Sequence, residues 1–411
     1  MDARRSTFGL ALAGALAAAT ALGCGEDLLA PATGTCPDFC PPEQLQVVDT
    51  ILLDNVTSDS SFSGYILPHE ATNLQVYRDS TAAAESGSRA VLVFLPFSDT
   101  LRLASADTNR GPVIGTDSFA VRIPVRGRNL AVADLELLLY RIPVTVDTAT
   151  TYADLDPFFT DSTLLASLVV PDSVADSTLT VILDSLAFPD FAADGNRAAI
   201  GVALRDPSTY VQLGAAENND AASLTRYVQV DSAGTSVARS EGKQPELDTF
   251  VGTPNSPVSA EARAIGGTPA SRTMLRFDLP VRIVDSSAVV RATLELVPVE
   301  PVLGAPTDSL AVIAQGLATD VGAKSPLLPV SSDVVGQLIA FLPVGSTDTV
   351  RLDVTDLVIS WTVDSTVPRT IAVRAVPEGD SFAELRVGAA GGAFRPRLHV
   401  TFVPPLRLGE R

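Results

Sequence analysis

The chain has 411 residues, too many for one typical sandwich domain and enough for two. Apolar residues make up 46% of it, which allows a packed core and argues against wholesale disorder. A net charge of −19 repels phosphate, which argues against nucleic acid and anionic membrane surfaces as partners and leaves calcium, neutral glycans or no ligand at all.

The N-terminus reads as an export signal. Arg4 and Arg5 form a basic start, and Phe8 to Leu22 runs apolar and rich in Ala and Leu. The run is short for a bilayer span, and its small residues suit cleavage. It ends in Ala21-Leu22-Gly23-Cys24, the pattern of a lipobox, in which the cysteine takes diacylglycerol and the leader is cut just before it. Residues 1–23 are therefore expected to be a lipoprotein signal peptide, with plain secretion or a buried N-terminal helix as the alternatives. Phe8 falls one position late for a twin-arginine signal, which favours the general secretory route. Acyl chains on Cys24 would anchor the protein stably, since anchoring takes more than one chain. Gly25 stands after Cys24 where an inner-membrane retention signal would carry Asp, so the expected place is the cell envelope at the outer membrane.

Residues 24–45 read as a tether, with Pro31, Pro37, Pro41 and Pro42 and little periodicity. Cys36 and Cys40 lie within it. Two spare thiols in an oxidising compartment usually pair, and a turn at Pro37 could bring them within reach. A metal site finds no nearby His or further Cys, and a redox pair finds no helix N-terminus to lower a thiol pKa.

From Gln46 onward the hydrophobic pattern has period two. Ala90 to Phe97, Phe119 to Val125, Asp134 to Pro143, Leu179 to Leu183 and Ala199 to Leu204 are short apolar or alternating runs separated by turn residues. Short helical turns are expected near Asp154 to Phe159 and Ser332 to Phe341. The fold class is all-β, two tandem β-sandwiches of jelly-roll type.

The second half repeats the first. Leu135-Glu136-Leu137 matches Leu294-Glu295-Leu296 at an offset of 159. Leu179, Val181, Leu183 and Leu186 match Val350, Leu352, Val354 and Leu357 at 171. The run Val211 to Ala216 matches Leu385 to Ala390 at 174, and Arg226 to Val230 matches Arg397 to Thr401 at 171. An internal duplication follows, with domain 1 over 46–235, domain 2 over 246–405 and a linker near Asp231 to Pro245.

The second copy carries Leu275-Arg276-Phe277-Asp278-Leu279, Ala292-Thr293-Leu294-Glu295-Leu296, Asp353-Val354-Thr355-Asp356-Leu357-Val358 with Trp361, and Arg395-Pro396-Arg397-Leu398-His399-Val400. This set, spanning about Arg272 to Phe402, resembles the DNRLRE family of exported β-sandwich modules, related to carbohydrate-binding jelly rolls. The first copy departs from it, lacking the Trp and the terminal Arg-Pro. The resemblance implies fold and envelope location more than an activity. Trp361, after the amphipathic turn Val354, Leu357, Val358, reads as a core plug rather than a sugar platform. Arg276 and Arg397 lie on the polar phase of their strands and are expected to pair across strands with acidic residues.

Chemistry is hard to find. His69 follows Pro68 in a loop, and His399 alternates with apolar neighbours so as to face away from the core. Neither stands in a motif for a nucleophile, zinc or phosphate site. No catalytic residue can be named, and the chain is not expected to be an enzyme. Calcium is the one cofactor considered, with Asp190, Asp194 and Asn196 around Gly195 as the candidate ligands and Asn218, Asn219 and Asp220 as a second set. The expected role is an envelope structural or interaction protein, its partner an envelope protein or a glycan. The alternative is a pair of carbohydrate-binding modules, for which exposed aromatics such as Tyr210 and Tyr227 would serve.

Overall fold

Alternation of apolar and polar residues becomes antiparallel pairing almost everywhere. The computed structural model describes residues 47–404, apart from 81–85, 105–107, 173–175, 286 and 330–338. Cys24, Cys36 and Cys40, with the signal and tether, lie outside these residues, as does most of the helical turn expected over Ser332 to Phe341.

In chain order the strands are β1 (Val48–Leu52), β2 (Val56–Ser63), β3 (Asn73–Asp79), β4 (Ser86–Phe94), β5 (Thr100–Arg102), β6 (Arg110–Arg128), β7 (Glu136–Arg141) and β8 (Leu164–Val169). They continue with β9 (Ser177–Asp184), β10 (Ala199–Leu204), β11 (Thr209–Gly214), β12 (Ser223–Ser232), β13 (Thr235–Lys243), β14 (Pro245–Gly252), β15 (Ala262–Gly266) and β16 (Ser271–Phe277). The last are β17 (Ala288–Leu296), β18 (Ser309–Gly316), β19 (Ala340–Pro343), β20 (Val350–Asp353), β21 (Thr370–Ala375), β22 (Glu384–Gly388) and β23 (Arg397–Val403).

These make two β-sandwiches. The first packs strands in the order β8-β7-β10-β4-β3-β11 against β9-β6-β12-β13. The far end of the long β6 also pairs β11, which stitches the two layers together. The second packs β19-β18-β21-β16-β15-β22 against β20-β17-β23-β1. The two orders agree strand for strand. In each, one further strand runs along the central one: β14 along β4, and β2 along β16.

Each sandwich closes on its own apolar core. Leu92, Phe94, Phe119, Val121, Leu137, Leu139, Val202 and Leu224 lie in the first. Leu275, Leu294, Val312, Leu352, Val373, Leu385, Leu398 and Val400 lie in the second. Burial on one phase of each strand follows from the period-two side-chain geometry.

This arrangement corrects the expected boundaries. The segment from 46 does not begin domain 1, because β1 and β2 pair with β23 and β16 of the second sandwich. Asp231 to Pro245 is not a linker. It is mostly the β12–β13 hairpin, whose turn at Ala233 and Gly234 takes positive φ, and β14 then joins the first sandwich. The apolar alternation fails there because β13 is the edge strand of its sheet and buries none of its side chains fully. Two of the sequence alignments also shift. The Leu-Glu-Leu match equates β7 with β17, yet the counterpart of β17 by pairing is β6. The Arg226–Arg397 match inverts the strand, since it sets buried Val228 against His399 on the outer face; an offset of 174 restores the phase and sets Leu224 against Leu398.

Trp361 is 1% exposed. It sits on the helix Thr355–Val363, which starts where Asp353 Oδ1 accepts the Thr355 amide at 2.9 Å. Val358 and Trp361, three apart, share the buried face, and the indole packs at 5.9 Å from the Phe277 ring. The first sandwich has turns over the corresponding stretch and fills the same end of its core with Phe188 and Phe191 against Phe119. Trp361→Ala is expected to lower the unfolding free energy by about 3–5 kcal/mol, read from circular dichroism in guanidinium.

Candidate functional site

The polar residues that the cores cannot absorb collect at the seam between the sandwiches. Gln75, on β3, is fully buried among Leu74, Val76 and Tyr77. Its Nε2 donates to Asp308 Oδ2 at 2.6 Å, and its Oε1 accepts the Phe382 amide at 2.9 Å. Asp308 also accepts from Ser381 Oγ at 2.8 Å. Asp380, 2% exposed, accepts from the Thr72 amide at 2.8 Å, from Thr72 Oγ1 at 2.5 Å and from Asn73 Nδ2 at 3.1 Å. Apart from the Ser381 bond, which lies within the second sandwich, these groups are answered from the other sandwich, and being answered is the condition for burying them at all.

Phe382 reaches from the second sandwich into the core of the first. Its ring lies edge-on to Phe250 at 5.0 Å and to Tyr77 at 5.5 Å. Gly252 is required beside it, because a Cβ there would strike the ring. Tyr210 borders this seam; burial first, and the nearby Asp308 carboxylate second, push its phenol above the ordinary value. It is packed against the first core, so it is not the exposed aromatic expected from the sequence, whereas Tyr227 is exposed.

A cleft of about 800 Å³ opens along the seam. The two segments that cross between sandwiches border it, Pro68 and His69 from one and Thr253 to Val258 from the other, with Tyr152 on the first sandwich and Glu384 and Arg386 on the second. The Arg386 guanidinium is 3% exposed and bonds Glu384, Glu300 and Ser256, so it holds the wall of the cleft together. A smaller hollow of about 370 Å³ lies on the outer face of the β1-β23-β17-β20 sheet. There Glu295 Oε1 accepts from Arg397 at 3.2 Å, Arg351 bonds Glu295 Oε2 at 3.3 Å, and His399 Nε2 stands 3.7 Å from Oε2.

Arg397 and Glu295 face one another across β23 and β17, the cross-strand pair expected. Arg276 differs: its partner is Asp320, from the loop after β18, held at 2.5 and 2.8 Å, because the strands beside Arg276 offer only Ser58 and Thr370. The bidentate guanidinium, then Thr370 and the Gly322 amide, hold the Asp320 carboxyl down to about 2.

The calcium candidates divide. Asp190 and Asp194 line one hollow, where Arg197 also lies. Asn196, at positive φ in the same turn, donates its amide to Asp99 instead. Asp220, in the second set, pairs with Arg126. Among the described residues no three His, Cys, Asp or Glu side chains converge as a metal site. Gln75, Asp308, Asp380 and Phe382 had no motif to mark them; the sole trace was a Gln inside an apolar strand.

No family model matches the chain. No curated protein matches it either.

Gln75→Ala strands part of Asp308 and the Phe382 amide at a buried position, and is expected to cost about 2–3 kcal/mol in denaturant unfolding. Asp320 gives a pH signature. Its folded pKa is depressed, so its contribution is present above about pH 4 and is lost as pH falls towards 2. Arg276→Gln should flatten that part of the profile of unfolding midpoint against pH and leave the profile above pH 5 parallel to the wild type.

Proposed function

We propose that this chain is a non-catalytic lipoprotein of the cell envelope, anchored through Cys24 at the outer membrane, whose two sandwiches act as one scaffold or docking body for another envelope component. The observation that carries this reading is the seam. Gln75, Asp308, Asp380, Thr72 and Phe382 tie the two sandwiches by buried hydrogen bonds and ring contacts, which suits a load-transmitting or presenting body rather than two beads on a string. The lipobox supplies the anchor, and the resemblance of Arg272 to Phe402 to the DNRLRE modules supports an exported setting.

A second reading, a carbohydrate-binding pair, draws on the seam cleft. Its volume falls in the range of ligand sites, and Tyr152, Thr150, Asn255 and Glu384 line it. On the first reading, insoluble polysaccharides do not retain the protein, and Tyr152→Ala changes nothing in that assay. On the second, retention is seen and the substitution reduces it at least tenfold.

The anchor is tested directly. Cells fed labelled palmitate should label the wild-type protein and leave Cys24→Ala unlabelled, with the variant moving from the membrane to the soluble fraction. Equal labelling of both would overturn the lipoprotein assignment.

A further inference from the structure

Nine strands of each sandwich correspond in the same chain order, β3, β4 and β6–β12 with β15–β23, the short β5 being an extra strand of the first. The remaining two seats are filled from outside that order, by β13 and β14 in the first sandwich and by β1 and β2 in the second.

Independent pairings fix which residues share a seat. Val121 faces Val181 and Leu224, and Leu294 faces Leu352 and Leu398. Leu92 faces Ile200 and Asp248, and Leu275 faces Ile371 and Asp59. Asp248 of β14 and Asp59 of β2 therefore hold the same seat. Their side chains do the same thing. Asp248 Oδ2 accepts the Ala216 amide at 2.8 Å, and Asp59 Oδ2 accepts the Ala390 amide at 2.7 Å. Ala216 and Ala390 are themselves matched, each two residues after a glycine, Gly214 or Gly388. A Cβ on either glycine would strike the carbonyl oxygen of a returning loop, that of Asp220 or of Phe394.

The crossings match as well. Asp59 stands 15 residues before Leu74, and Asp248 stands 15 before Arg263. Leu74 and Arg263 hold one seat, opposite Leu213 and Val387. So the chain leaves β2 for β3 and β14 for β15 by connectors of equal length, and both leave one sandwich for the other. A repeat thus runs β1–β12 and then β13–β23, and the leading pair of each repeat lies in the sandwich built by the other.

We infer that the two repeats trade their leading strand pairs, and that the seat along β16 and β23 is a strand-acceptor site that takes the Val48–Ser63 segment of a second copy as well as that of its own chain. What the seat recognises does not depend on the covalent connection. It offers the main chain of Ser271–Phe277 and Leu398–Phe402, an apolar floor for Val48, Leu52 and Val56, and the Ala390 amide and Arg263 for Asp59. This is strand addition with a side-chain key, and exchange of an identical element between copies is its usual route.

The test cuts the connector after folding. A specific protease site at Leu67–Glu70 is cleaved in the native full chain, and a fluorescent synthetic peptide of residues 47–64, standing for the segment of a second copy, is added. Trp361 is the one tryptophan and lies in the second core, so its emission reports that sandwich alone. The expected result is one peptide taken up per cleaved chain at temperatures where Trp361 emission stays native. The Asp59→Ala peptide should bind at least tenfold more weakly. Washing out the cleaved segment in mild denaturant should lower the Trp361 melting midpoint, and the peptide should restore it. No uptake below the melting of the second sandwich, or equal uptake of a shuffled peptide, would overturn the inference.

Discussion

The main-chain hydrogen bonds between β2 and β16 are what the second sandwich depends on. β16 lies at the middle of its sheet, yet its sequence-adjacent strand β15 pairs with it only at Gly266 and Ser271. Without β2, the amides and carbonyls from Arg272 to Phe277 would lose partners on one side. Backbone groups cannot be left unanswered in a dry layer, so a segment more than 200 residues earlier in the chain completes the sheet. The first sandwich solves the same problem with β14 on β4. A fold closed by pairings of such long separation carries a large loop-closure cost and should assemble more slowly than one built of neighbours.

The seam follows from that crossing. Two connectors must run between the sandwiches, so polar backbone and side chains are carried into contact there. Asp380 answers the amide and hydroxyl of Thr72 at the end of the first connector, Gln75 and Asp308 bond across the seam beside it, and Phe382 fills the apolar remainder. Charge is handled in the same local way. The protein is strongly acidic overall, yet several of its sheltered carboxylates are met by arginines in fixed geometry: Asp320 by Arg276, Glu378 by Arg272, Asp59 by Arg263, Glu384 by Arg386. A planar guanidinium can grip a carboxylate with two bonds, which a lysine ammonium cannot, and the near-absence of lysine fits that use.

The strands were legible because each buries one face. Ala199–Leu204 runs over the residues its apolar pattern marks, and Leu179 to Leu183 falls inside β9. Arg397 lay on the polar phase and found its partner across the sheet, since β17 places Glu295 opposite. The repeat was legible in the residues of β9 and β11, where equivalent side chains face equivalent cores. It was misread at Leu135-Glu136-Leu137 and at Arg226 because short apolar words recur in any strand-rich chain, and a one-residue slip exchanges inside for outside. The seam was not legible, since a buried Gln bonded to an Asp 233 residues away has no local pattern.

The sequence by itself determined the all-β class, the number of sandwiches, the plug at Trp361 and the polar phase of Arg276 and Arg397, because alternation and side-chain size act over a few residues. Only the tertiary structure decided which strands complete which sandwich, what Arg276 holds, and how the two bodies are joined. Those depend on main-chain pairing, and every strand offers the same row of amides and carbonyls. Which partner meets it is settled by the packing of the whole chain.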